Sequence, residues 1–149
     1  MKLYGTHRKY KIFLASNKDR HFYCQMGRFF SNYEIIKELE GPIYDADSYQ
    51  WLLAKDGLEI IAFSSCRDAG NGTWWFNQTW VNPEHRHKGI YRKLFQLKTI
   101  LCIENGAKVL KGTALTDSKA LFEENGWTVT SIRGPRWTWF EKIVEGGEK

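Results

Sequence analysis

The residues best suited to chemistry crowd into one stretch. Arg86-His87-Lys88-Gly89-Ile90-Tyr91-Arg92-Lys93 sets the basic side chains Arg86, His87, Lys88, Arg92 and Lys93 around a single glycine. A β-prone run, Asn77-Gln78-Thr79-Trp80-Val81, and the break Asn82-Pro83-Glu84-His85 come before it, and an amphipathic segment reaching Asn105 follows. The order predicts a strand, a tight basic turn and a helix N-terminus, which together make an anion site. The first backbone N–H groups of a helix have no partner inside it, and the helix dipole places partial positive charge there. Gly89, lacking a Cβ, lets backbone and ligand approach closely.

Other candidates are weaker. Asn77 and Gln78 fall in mid-strand, and neither amide is a base. Each can position a water or a substrate, or bond the sheet and nearby loops; both readings stay open. His85-x-His87 has no third ligand at a useful spacing, so no metal is expected, although an imidazole near pKa 6.5 suits a general base. Asp117 and Ser118 either contact a cofactor or substrate or cap a short helix, the commoner job of such residues. Arg133, Arg136, Trp137 and Trp139 interleave cations and rings, as a nucleic-acid stacking surface would, or as a strand with alternating core tryptophans would.

Composition bounds the partners. The 149 residues are 42% hydrophobic and 15% aromatic, enough for one domain with a real core, residues 1–149. A formal charge of +5 favours anionic partners: a nucleotide-like cofactor, nucleic acid or an acidic protein face. Cys24, Cys66 and Cys102 are odd in number and widely separated, which excludes a disulfide framework and a zinc spacing and points to a reducing compartment. Residues 1–20 carry charge throughout and lack the apolar core of a signal peptide. No run approaches the ~18 apolar residues of a membrane span. A soluble, cytoplasmic protein with no membrane partner is expected.

The positioning elements follow from periodicity. Tyr10–Ala15 reads as a first strand, in a basic N-terminal region that otherwise looks like a solvated face. Ser31-Asn32-Tyr33-Glu34 has the form of a capping box, with Tyr33, Ile36 and Leu39 at helical spacing and Gly41-Pro42 as the stop. Tyr49–Ala54, Glu59–Ser65 and Thr73–Val81 form a meander, turned at Lys55-Asp56-Gly57 and at Asp68–Gly72. Tryptophans on both faces of Thr73–Val81 predict a central strand covered on both sides. Ile90, Leu94, Leu97 and Leu101 form one buried helical stripe, closed by Asn105-Gly106. Lys108–Ala114 follows as a strand parallel to the one before the helix. A short helix, Ser118–Glu124, capped by Thr116 or Asp117, precedes two antiparallel strands, Trp127–Ile132 and Arg136–Val144. Glu145 to Lys149 should fray. The fold class is α/β (α+β), a mixed, mostly antiparallel sheet with one strand–basic turn–helix crossover.

Two blocks now carry a resemblance. Val81-x-Pro83-Glu84-x-Arg86-x-x-Gly89-Ile90 is similar to the cofactor signature of the GNAT superfamily of acyl-CoA N-acyltransferases. Ser118-x-x-Leu121-Phe122-Glu123-Glu124-Asn125-Gly126-Trp127 resembles the family's second block, an aromatic on a short helix that ends in Gly and an aromatic. The resemblance covers residues 49–142 and, more loosely, the whole chain, as a single GNAT-like acetyltransferase domain.

The resemblance implies that acetyl-CoA is the acyl donor. Its pyrophosphate would sit on the N–H groups of His87, Lys88, Gly89, Ile90, Tyr91 and Arg92, with Arg86 beside them. Its pantetheine would lie along Thr79, Trp80 and Val81, and Ser118 and Phe122 would complete the cofactor set. Asn77 and Gln78 would position substrate or water. An N–H near Val81 would polarise the acetyl carbonyl, and a primary amine of a small molecule or protein would attack it directly. Three positions depart from the family pattern: Tyr91 stands where Gly or Ala is usual, Phe122 where many members carry a proton-donating Tyr, and Leu115 near a frequent Asn. Two alternatives follow: a nucleic-acid-modifying protein of this fold, similar to phage DNA-modification proteins of the Mom type, and a non-catalytic binding module for nucleic acid or protein.

Overall fold

A computed structural model describes residues 1–144. Eight strands and four helices alternate along the chain: β1 (Lys2–His7), β2 (Tyr10–Ala15), α1 (Phe22–Phe30), α2 (Tyr33–Leu39), β3 (Tyr49–Asp56), β4 (Glu59–Asp68), β5 (Thr73–Val81), α3 (Ile90–Glu104), β6 (Val109–Leu115), α4 (Lys119–Glu124), β7 (Thr128–Arg133) and β8 (Trp137–Ile143). The strands form one sheet in the order β1-β2-β3-β4-β5-β6-β8-β7. The pair β5–β6 is parallel, with α3 between the two strands in sequence as the crossover expected of such a pair. The β1–β2, β2–β3, β6–β8 and β7–β8 pairs are antiparallel. The mixed, mostly antiparallel α/β architecture agrees with the class read from the sequence. Among the described residues, no helix is long and apolar enough to cross a membrane.

The chain divides into two compact units. The first comprises Met1–Ser65 and Gln78–Leu97. Its core gathers Phe22, Met26 and Phe29 of α1, Ile35 of α2, and Trp51, Phe63 and Trp80 of β3, β4 and β5. The Phe63 and Trp80 rings stack with centroids 5.6 Å apart, and Phe29 closes on both. Such pairs add to the burial of large rings, the main stabilising contribution here.

The second unit comprises Cys66–Asn77 and residues 98–144. Alternation along its strands sorts side chains onto two faces. Phe76, Leu110, Gly112, Ala114, Thr138 and Phe140 are buried on one. Phe122 of α4 stacks on Phe140 at 5.0 Å and meets Trp127 edge-on at 4.9 Å. A Cβ at Gly112 would stand 3.0 Å from the Phe122 ring, so this glycine exists to let α4 close onto β6.

Several local expectations change. β1 and α1 both lie in the region read as a solvated face. The capping box does not form. Asn32 is the N-cap of α2, its Oδ1 accepting from Ile35 N, while Ser31 ends α1. An Asn carbonyl meets the N3 amide as well as a Ser hydroxyl does, so the helix starts one residue later. A single 3-10 turn, Thr116–Ser118, precedes α4, and no side chain caps that helix; Ser118 Oγ donates to Leu115 O instead. Trp75 of β5 is only half-buried, so that strand is central in the sheet without being covered on both sides. Trp137 and Trp139 are likewise half-buried, while Thr138 and Phe140 point into the core. The expected core tryptophans of β8 are on its outer side. Glu145 to Lys149, expected to fray, lie outside the described residues.

Candidate active site

The basic turn is built within the first unit from three restraints. Asn82 caps a 3-10 turn, Pro83–His85, through Glu84 N, and its own N–H donates to Ile61 O of β4 at 2.8 Å. Arg86 then folds back along the strand end. Its Nε donates to Val81 O at 2.8 Å and its Nη2 pairs with Glu38 of α2 at 2.5 Å. His7 Nε2 donates to Lys88 O at 2.6 Å, tying the turn to β1. The chain can then reverse sharply: His87 has φ 64° and Gly89 φ 82°, both left-handed. For His87 that conformation is costly, and it persists because the neighbours over-determine it.

Helix α3 leaves from this turn. Its first i to i−4 bond runs from Lys93 N to Gly89 O, so the amides of Ile90, Tyr91 and Arg92 precede the helical ladder. The helix is 15 residues long, its N-terminal dipole lies at a turn bearing His87 and Lys88, and Arg92 is in its first turn. A Cβ at Gly89 would stand 3.1 Å from His7 Nε2, besides being strained at that φ. The Gly89 position is thus fixed by close approach as well as by conformation.

The remaining expected residues fall as follows. Thr79 Oγ1 lies 2.6 Å from Ser64 Oγ, across β4 and β5. The Trp80 ring and the Ile90 side chain are buried in the core, so only their backbone groups can meet a ligand. Gln78 Nε2 donates to Pro42 O at 2.9 Å, holding the segment that follows α2. Tyr91 is 36% exposed. His85 is occupied by Tyr10: the hydroxyl is 2.8 Å from Nδ1. No group of three or more His, Cys, Asp or Glu is gathered to hold a metal ion among the described residues.

Asn77, Ser118 and Phe122 belong to the second unit. Phe122 is 5% exposed, its ring committed to the core. Asn77 Nδ2 is buried and has no hydrogen-bond partner, an uncommon state for a donor. Its backbone carbonyl accepts from Lys98 Nζ at 3.3 Å. Lys98, which the sequence reading missed, is 2% exposed, with its Nζ 4.6 Å from the Phe76 ring centroid. Burial pulls its pKa down to about 8, opposed by the neighbouring Cys66 and Cys102. Cys102 is pushed up by its hydrogen bond with Cys66 and by burial. The signal for Lys98 was present: Ile90, Leu94, Lys98 and Cys102 recur every four residues on the buried side of α3. His7 and Glu38, which brace the turn from distant segments, left no such trace.

Comparison with known proteins decides the family. The sequence model described as the acetyltransferase (GNAT) family matches residues 9–127. The chain belongs to this family. Among curated protein sequences none matches significantly. Solved structures share the fold at low identity. An acetyltransferase of the GNAT family from Staphylococcus aureus aligns with a TM-score of 0.66 at 13% identity, over 90% of this chain and 99% of its own. An acetyltransferase from Thermus thermophilus gives 0.63 at 15%, over 91% and 97%. A GNAT family acetyltransferase from Elizabethkingia anophelis, solved with acetyl-CoA bound, gives 0.63 at 14%, over 91% and 99%.

Proposed function

We propose that residues 1–149 act as one acetyl-CoA-dependent N-acetyltransferase domain, and that the turn from Arg86 to Arg92 receives the pyrophosphate of the donor. The observation that carries this reading is the left-handed pair His87 and Gly89 at the start of the 15-residue α3, which sets the backbone amides of the helix N-terminus beside a short turn that bears Lys88. Arg86 serves by holding the strand end against Glu38, and the amides of His87 to Arg92 bind. Backbone groups of Thr79, Trp80 and Val81 pair with the pantetheine arm, and an N–H at Val81 polarises the thioester carbonyl. The family membership and the acetyl-CoA bound to the Elizabethkingia protein support the choice of donor.

The acceptor is a primary amine. Its nitrogen attacks the carbonyl carbon, the C–S bond breaks, CoA leaves as thiolate, and the nitrogen gives up a proton to solvent. Phe122 has no proton to give, and a thiolate needs none near neutral pH. The buried, unpartnered Nδ2 of Asn77 is a donor suited to a substrate carbonyl or a bound water, with Gln78 ordering the adjacent segment.

Calorimetric titration with acetyl-CoA, and separately with CoA, tests the donor. Micromolar binding by the wild type and none by Gly89→Asp is expected, because the carboxylate opposes the phosphates and strains the turn. Binding that survives this substitution would remove the turn from the reading. Release of free CoA thiol in the presence of primary amines, absent with tertiary amines, then tests the reaction.

A further inference from the structure

The outer face of the second unit's sheet is unusual. Both helical pieces of that unit lie on the other face: Lys98 of α3 over Phe76, and Phe122 of α4 against Gly112. The outward positions carry Trp75, Trp137 and Trp139, all half-buried, together with Arg67, Lys111 and Arg133. Trp75 is opposite Lys111 in the β5–β6 ladder, and Trp139 is opposite Thr113 and Ser131. The Trp75 and Trp139 rings meet edge-on at 5.8 Å and 88°. Arg67 stands 5.7 Å and Lys111 6.0 Å from the centre of the Trp75 ring, and Arg133 5.0 Å from that of Trp139. Among these outward ladder positions the opposing charge is Glu141, the register partner of Lys111.

We propose that this face binds single-stranded nucleic acid. Rings on neighbouring strands give unpaired bases a surface to stack on, and flanking guanidinium and ammonium groups meet the phosphates between them. A face meant for a second copy of the chain would bring Arg67, Lys111 and Arg133 against the same three cations, which repel. An acidic peptide would satisfy the cations and leave the tryptophans without a flat aromatic partner. Three cations on the backbone set the expected salt dependence, a slope of about −2 in log affinity against log salt for a single strand.

The test is fluorescence anisotropy of the whole chain with a labelled dT oligomer across a salt series, with a duplex of equal length and polyglutamate as competitors. Neither acetyl-CoA nor turnover enters the measurement, so its failure leaves the acetyltransferase reading intact. The wild type binds the single strand with the stated slope and quenches tryptophan emission. Trp139→Leu weakens binding roughly 5-fold or more, the loss of one stacked base. Lys111→Gln and Arg67→Gln, half-buried side chains outside the core that keep most of their length, fold whatever Trp139→Leu does, and each reduces the slope by about 0.7. Equal affinity for duplex, displacement by polyglutamate at equal charge, or affinity unchanged in all three variants overturns the proposal. So does self-association of the wild type that the same variants abolish, which would make the face a contact between copies.

Discussion

Lys98 gives the sharpest prediction, because a buried amine ties stability to pH. Its pKa of about 8 in the folded chain stands against 10.5 for the exposed amine. Below pH 8 both states hold the proton, and the fold bears the whole penalty of a buried charge, roughly 3 kcal/mol. As pH rises through 8 the folded amine loses its proton while the unfolded one keeps it up to about 10.5. The unfolded state then binds more protons, so stability rises with pH in that window. The expected gain from this group is about 1 kcal/mol between pH 7 and 9 and more than 2 by pH 10. With a urea m-value in the usual range, the pH 7 to 9 change moves the midpoint by roughly half a molar. Lys98→Met keeps the chain length and removes the charge, but strips Asn77 O of its donor, a loss of about 1 kcal/mol. The variant should therefore be more stable than wild type by about 2 kcal/mol at pH 7, and nearly equal at pH 10. Urea melts of both proteins at several pH values make the comparison, and the difference between them cancels other groups that titrate alike. A difference that stays flat from pH 7 to 10 would refute the reasoning: Lys98 would not be a charged amine held out of water.

Other perturbations have equally definite outcomes. Phe122→Ala should cost about 3–5 kcal/mol, read from the urea midpoint, because the ring fills the space between Phe140, Trp127 and Gly112. Arg86→Ala frees Val81 O and Glu38 together; CoA affinity should fall several-fold, with a smaller loss of stability, by calorimetry and melting respectively. Under native conditions a thiol reagent should modify the exposed Cys24 alone, and mass spectrometry should find Cys66 and Cys102 modified only after unfolding, since both are buried and the Cys102 thiol is held protonated.

How far the sequence could be read depended on whether a signal was local. The stripe of Ile90, Leu94, Leu97 and Leu101 repeats with the helix itself, and all four are buried. Thr73–Val81 was legible to its ends, because β-prone residues run between a Gly-rich turn and Asn82-Pro83. β1 was not, since Lys2–His7 has no apolar alternation: it is an edge strand whose side chains stay largely exposed. α1 carried a local signal that the sequence reading missed: Phe22, Met26 and Phe29 recur at i, i+4 and i+7, one buried helical stripe within a segment that reads as basic surface. The outward tryptophans of β8 read as core because hydrophobicity alone cannot say which face of a strand is covered. That depends on where the helices pack, and here a threonine and a phenylalanine occupy the inner positions.

The same distinction runs through the site. Gly89 and the cations around it are contiguous, so the turn was visible as a motif. What braces the turn is contributed from elsewhere: Glu38 of α2 takes the guanidinium of Arg86, and His7 of β1 holds Lys88. Each contact spans dozens of residues, and neither partner differs in type from a surface residue. Their effect is to relieve the amides of the turn from holding its shape. Arg86 pins the strand end through Val81 O, and His7 fixes the Lys88 carbonyl on the other side of His87, so the left-handed geometry of His87 is maintained by side chains. If the proposed donor site is right, a turn braced in this way is organised before an anion arrives, which lowers the ordering cost of binding. The brace can be checked without any ligand. Glu38→Ala should speed hydrogen exchange at the amides of Arg86 to Gly89 while leaving the β3 amides unchanged. Unaltered exchange in the turn would mean that the ion pair is incidental and that its order comes from the backbone alone.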